Sequence, residues 1–170
     1  MKRLFFALWP DESTRQRCKD IASLLRDHGR PVAATNLHIT LVFLGSVDEA
    51  KQAAMTQAAA NIVVQSMTLT FNRLDYWKKP AVVCLCTEQI DPVVSSLVDQ
   101  LTAAAIQNGI AVDLRPYEAH VTLLRKAKSP SEIQFNPIPW QADTFCLVES
   151  CSTPSGVEYR VIQRWGLSNQ

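Results

Sequence analysis

The sequence predicts an α+β protein built around a duplicated βαβ-containing unit. Three observations lead there. Apolar runs of strand length alternate with helical stretches; the order strand, helix, strand occurs twice; and the second strand of each copy opens on the same four-residue pattern. The 170 residues are 47% hydrophobic and 19% charged. A chain of this length buries roughly 70% of the surface its unfolded form exposes, so no disulfide or metal is needed to hold it together. One unit spanning 1–170 is expected, with copies at about 1–75 and 80–170 whose lobes have room to interleave.

Each element has a local reason. Residues 4–8 form an apolar run that stops at Trp9-Pro10 and reads as a first strand, too short for a secretory signal and without a small-residue cleavage site. Residues 11–27 carry Ile21, Leu24 and Leu25 among charges, an amphipathic helix ending before Gly29 and Pro31. Residues 37–44 are rich in β-branched and aromatic residues and close on Gly45, a second strand. Residues 48–65 contain neither Gly nor Pro and are rich in Ala, a helix of high intrinsic propensity. Residues 67–74 alternate Leu69 and Phe71 with Thr68, Thr70 and Asn72, a half-buried strand.

The pattern then restarts. Residues 81–86 are a buried strand, and Asp91-Pro92 sets a helix N-cap before a Pro at the first helical position. That helix runs to about Asn108, with Gly109 as its stop. Residues 120–124 form a strand, residues 129–140 with three prolines a connecting loop, and residues 144–149 and 157–162 two further strands joined by a turn. The corresponding elements of the two copies are offset by 78, 80 and 82 residues.

Composition narrows the function. Seventeen Lys and Arg against sixteen Asp and Glu give a net charge of +1, which disfavours a protein that coats duplex DNA by bulk charge. No stretch approaches the ~20 apolar residues of a membrane span. The five cysteines, at 18, 84, 86, 146 and 151, include no C-x-x-C pair, which points to a reducing, cytoplasmic compartment. There is no Walker A or other glycine-rich phosphate loop, so no ATP-driven mechanism is expected.

The chemistry lies in the repeated tetrads, His38-Ile39-Thr40-Leu41 and His120-Val121-Thr122-Leu123. Eleven threonines in 170 residues make two His-x-Thr pairs among three histidines roughly a one-in-a-hundred coincidence. Residues i and i+2 of a strand share a face ~6–7 Å apart, so each His lies beside its Thr while the aliphatic residues point to the core. No Ser-His-Asp order, His-paired Cys or H-E-x-x-H motif accompanies them. Two imidazoles and two hydroxyls suit general acid–base chemistry on a phosphate, with neither metal nor cofactor. His28, at the end of the first helix, lacks the pattern.

Tandem tetrads of this kind, with the opening Arg3-Leu4-Phe5-Phe6-Ala7 and the flanks Asn36-Leu37 and Arg115-Pro116-Tyr117-Glu118-Ala119, resemble the two-histidine (2H) phosphoesterase family. The likeness is to its RNA 2′,3′-cyclic phosphodiesterase branch, also called the 2′-5′ RNA ligase family. One departure is Ala119, where the family often has Pro. The resemblance implies a bilobal fold with antiparallel sheets lining a central cleft. It also implies metal-independent hydrolysis of a terminal 2′,3′-cyclic phosphate to a 2′-phosphate, with reversible 2′-5′ ligation in some members. Carried over by position, His38 is the proton donor, His120 the proton acceptor, and Thr40 and Thr122 hold the phosphate oxygens.

Arg125 takes a substrate-binding role on this resemblance only if its strand ends or bulges near Leu124, because five residues after His120 a regular strand faces away. Arg115 is a similar case; Phe5, Phe43, Tyr117 and Trp140 are aromatics able to stack a base, but Phe at such positions more often packs in the core, and none is singled out. The expected ligand is RNA with a 2′,3′-cyclic end or a cyclic nucleotide, bound by a monomer over a footprint of few phosphates. The competing reading is a non-catalytic nucleotide or RNA-end binding module.

Overall fold

The computed structural model describes residues 1–130 and 132–168. Strands β1 (Lys2–Leu8), β2 (Arg30–Pro31), β3 (Ile39–Val47), β5 (Arg73–Trp77), β6 (Val82–Cys86), β7 (His120–Arg125), β9 (Thr144–Thr153) and β10 (Gly156–Gly166) form one sheet. Its order is β10-β9-β1-β3-β7-β6-β5, with β2 lying along the second half of β7. Strands β4 (Met67–Phe71) and β8 (Ile138–Ala142) make a separate two-stranded sheet. Every pairing within the two sheets is antiparallel.

Three helices, α1 (Glu12–Leu24), α2 (Glu49–Ala60) and α3 (Pro92–Gln107), start the same way. Asp11, Asp48 and Asp91 each accept a backbone N–H of the first turn, at 2.7, 2.8 and 2.7 Å. Such a cap is worth about 1 kcal/mol and fixes where the chain turns from strand to helix. The helices cover one face of the large sheet. Ile21, Leu25, Met55, Leu97 and Leu101 pack there with Leu4, Phe6, Leu8, Ile39, Leu41, Val121 and Leu123 in one buried core. On the other face two smaller apolar clusters, Phe5, Ala7, Cys146 and Val148 on one side and Val82, Cys84 and Cys86 on the other, leave the centre open.

Both strand–helix–strand units close antiparallel: β1 pairs β3 across α1, and β6 pairs β7 across α3. The halves of the chain interleave. The C-terminal hairpin β9–β10 lies beside β1, while β5, from the first half, edges β6. Some expected boundaries move. The strand expected over 67–74 breaks at Asn72, whose N–H goes to the Cys86 carbonyl, and its two parts enter different sheets. The second helix stops at Ala60 with Asn61 as its cap, and the first at Leu24, followed by a 3-10 turn over Arg26–His28. The segment 129–140, read as loop, contains most of β8. Its prolines masked a period-two pattern in which Ile138, Trp140 and Ala142 are buried and Pro139 faces out on an edge strand.

Candidate active site

The two tetrads meet at the middle of the open face. β3 and β7 pair at Ile39 and Val121, and continuing that antiparallel register sets His38 opposite Thr122 and Thr40 opposite His120. All four side chains line one cleft of about 1040 Å³. Because Ile39 and Val121 are fully buried on the helix side, a one-residue slip would exchange core and cleft residues; burial holds the site in register.

Both imidazoles are pinned alike. His38 Nδ1 lies 2.7 Å from the Asn36 carbonyl and His120 Nδ1 2.9 Å from that of Glu118. A carbonyl only accepts, so Nδ1 carries the hydrogen in each neutral ring and Nε2 is the nitrogen left for chemistry. The surroundings differ. Trp9 stacks on His38 at 5.7 Å and 16°, Phe5 lies at 5.0 Å, and Tyr159 meets it edge-on at 5.1 Å. Its Nε2 is 2.9 Å from Thr40 Oγ1. Burial among these rings pushes the His38 pKa down to about 4; the Asn36 carbonyl works against this, while the nearby charges of His120 and Arg125 add to it. His120 has one aromatic neighbour, Trp77 at 4.6 Å.

Arg125 also lines the cleft. The reason is a bulge. Thr122 pairs with Cys84 and Leu124 with Val83, so Leu123 is an extra residue that reverses the alternation. β3 has the same device: Thr40 pairs with Ala7 and Val42 with Phe6, leaving Leu41 extra. Both strands therefore bury two consecutive aliphatic residues and turn the fifth position after the histidine, Phe43 or Arg125, onto the cleft face.

Among the described residues the cleft wall carries Arg3, Arg30, Lys79, Arg115 and Arg125 and no carboxylate. Arg115 is neutralised by a bidentate pair with Asp113. Arg3, Arg30, Lys79 and Arg125 make no salt bridge among the described residues. The small net charge hides a concentrated positive field, because unpaired cations gather at one concavity.

Of the aromatics named from sequence, Trp140 is fully buried in the core and unable to meet a ligand, and the Tyr117 hydroxyl donates to the Thr40 carbonyl at 2.9 Å. Phe5 supports His38, and Phe43 remains 42% exposed. The sequence reading missed Asn36, Trp9, Tyr159 and Trp77, which hold the histidines, because three of them stand on segments far from either tetrad. Only Asn36, two residues before His38, was within reach of the motif. His28 sits in the 3-10 turn after α1, outside the cleft lining. Among the described residues no group of three or more His, Cys, Asp or Glu gathers as a metal site. Nor, among those residues, is any helix long and apolar enough to cross a membrane.

Two His/Thr pairs set across a twofold-like strand pairing, under unpaired cations, define a phosphoesterase of the two-histidine kind. The model of the LigT-like phosphoesterases matches residues 8–84. The RNA 2′,3′-cyclic phosphodiesterase of Escherichia coli K12 is 33% identical over 98% of this chain and 97% of its own. That of Thermotoga maritima is 27% identical over 94% and 92%. The crystal structure of E. coli LigT complexed with 3′-AMP superposes with a TM-score of 0.89 at 31% identity, over 98% of both chains. The chain belongs to the LigT-like phosphoesterase family.

Proposed function

We propose that this protein hydrolyses the terminal 2′,3′-cyclic phosphate of RNA to a 2′-phosphate. The observation that carries the reading is the pair of imidazoles pinned through Nδ1 in one tautomer, beside two hydroxyls and an unpaired guanidinium. His120 Nε2 takes a proton from water as the water oxygen bonds to phosphorus. His38 Nε2–H gives a proton to the leaving 3′ oxygen as the P–O3′ bond breaks. Thr40, Thr122 and Arg125 donate to the non-bridging oxygens, where charge builds in the transition state. Burial holds free His38 neutral, so its donor role requires the bound phosphate anion to draw a proton onto Nε2. With a 5′-hydroxyl in place of water, the same transfers bond its oxygen to phosphorus as P–O3′ breaks, leaving a 2′-5′ linkage and a 3′-hydroxyl, which accounts for ligation by the same residues.

All four central side chains come from one chain, so the site is complete in a monomer. The five free thiols, four of them buried, suit a reducing cytoplasm. We read the two strand–helix–strand units, closed alike and each bulged after its histidine, as copies of one ancestral unit forming two lobes about the cleft. The test is to incubate an oligonucleotide ending in a 2′,3′-cyclic phosphate with the protein in EDTA and identify the product. A 2′-phosphate end is expected; a 3′-phosphate, or loss of turnover in chelator, contradicts the scheme.

A further inference from the structure

We propose that Arg3 and Phe43 form a second subsite, which binds the nucleotide preceding the cyclic end and makes an oligonucleotide, rather than a mononucleotide, the preferred substrate; this rests on the phosphodiesterase reading above. Four observations converge on it. The Leu41 bulge turns Phe43 onto the cleft face, where it is 42% exposed in a strand whose other large apolar residues are buried. The Arg3 guanidinium lies 4.9 Å from the Phe43 ring centroid and has no salt-bridge partner among the described residues. Ser150 and Ser152 of β9 add hydroxyls to the same wall. The cleft, at about 1040 Å³, lies at the upper limit of the ~300–1,000 Å³ that encloses a whole drug-sized ligand, and leaves room past one nucleotide.

Position and chemistry agree. Thr40 pairs with Ala7 and Phe43 with Phe5, so across the bulge Phe43 stands two register steps, about 7 Å, beyond Thr40, a reach suited to the neighbouring nucleotide rather than to the reacting phosphate. A planar guanidinium over an aromatic ring offers a flat stacking platform for any base, while its N–H edge meets the phosphate linking that nucleotide to the terminal one. Among the described residues no carboxylate of the lining opposes that phosphate. The recognition is therefore indifferent to base identity and sensitive to salt.

The experiment compares kcat/KM for a trinucleotide ending in a 2′,3′-cyclic phosphate with that for the cyclic mononucleotide of the same terminal base. Wild-type protein should favour the trinucleotide by about tenfold or more, the worth of one stacked base and one phosphate contact. Phe43→Ala and Arg3→Ala should each shrink that ratio at least about fivefold, and Phe43→Tyr should restore it. Arg3→Ala should also flatten the salt dependence of trinucleotide KM by about one counterion. A wild-type ratio near one, or equal losses on both substrates in both variants, overturns the subsite while leaving the phosphodiesterase intact. Failure of wild-type protein to turn over either substrate overturns both.

Discussion

The half of the site on β3 and the half on β7 begin alike and end differently. Each offers a histidine pinned through Nδ1 to the carbonyl two residues back, a threonine beside it, and a bulge one residue further on. Past the bulge the β3 arm presents Phe43 and the β7 arm Arg125. The histidines part company too. His38 is enclosed by Trp9, Phe5 and Tyr159, whereas His120 faces the cleft with Trp77 at one side. Matching backbones thus hold two groups of one residue type in unlike dielectric surroundings, the kind of asymmetry that the proposed division into proton donor and proton acceptor calls for.

The strongest way to break the comparison is to remove each histidine separately. His38→Ala and His120→Ala should each lower kcat/KM on a cyclic-ended oligonucleotide by about 10²–10⁴-fold, the usual contribution of a positioned acid or base. If either variant keeps full activity, the two half-sites do not share one reaction.

Arg125→Ala comes next. Losing a charged donor to the phosphate should cost about 10–100-fold in kcat/KM, with Arg125→Lys recovering part of it as a point charge without the fork. Because Phe43 occupies the equivalent place and carries no charge, this loss should appear on mononucleotide and oligonucleotide substrates alike. A loss confined to the oligonucleotide would assign Arg125 to substrate length rather than to the reacting phosphate.

The smallest and most diagnostic effect is in titration. NMR of the ring protons should show free His38 protonating near pH 4, against ~6.5 for an unperturbed imidazole, and moving upward when inorganic phosphate is bound. The folded state holds the neutral ring, so the unfolded chain binds more protons between those values. Stability is therefore retained above about pH 6.5 and falls as pH drops toward 4, which denaturant melts at several pH values will read. Trp9→Ala, by admitting water to the ring, should raise the His38 value; no change would remove burial as the cause.

Much of this was legible in particular residues. The paired His-x-Thr spacing told which side chains share a face, and the Asp91-Pro92 cap, the amphipathic and Ala-rich stretches and the apolar runs placed most helices and strands within a few residues. Asn72 was not legible as a boundary, because a continuous alternation carries no mark of the point where a chain leaves one sheet for another. Nor was β8, since Pro137 and Pro139 signal a loop unless their strand lies at an edge.

The sequence by itself determined which side chains recur: two imidazoles and two hydroxyls, repeated at a nearly constant offset. Tertiary structure decided what surrounds them. Leu41-Val42 and Leu123-Leu124 are apolar in every alternation, so only the register against β1 and β6 reveals that one residue of each pair is extra and that Phe43 and Arg125 turn into the cleft. The rings that keep His38 neutral arrive from Phe5, Trp9 and Tyr159, residues distant along the chain. A motif specifies its own side chains; the dielectric around them comes from whichever segments the fold packs alongside.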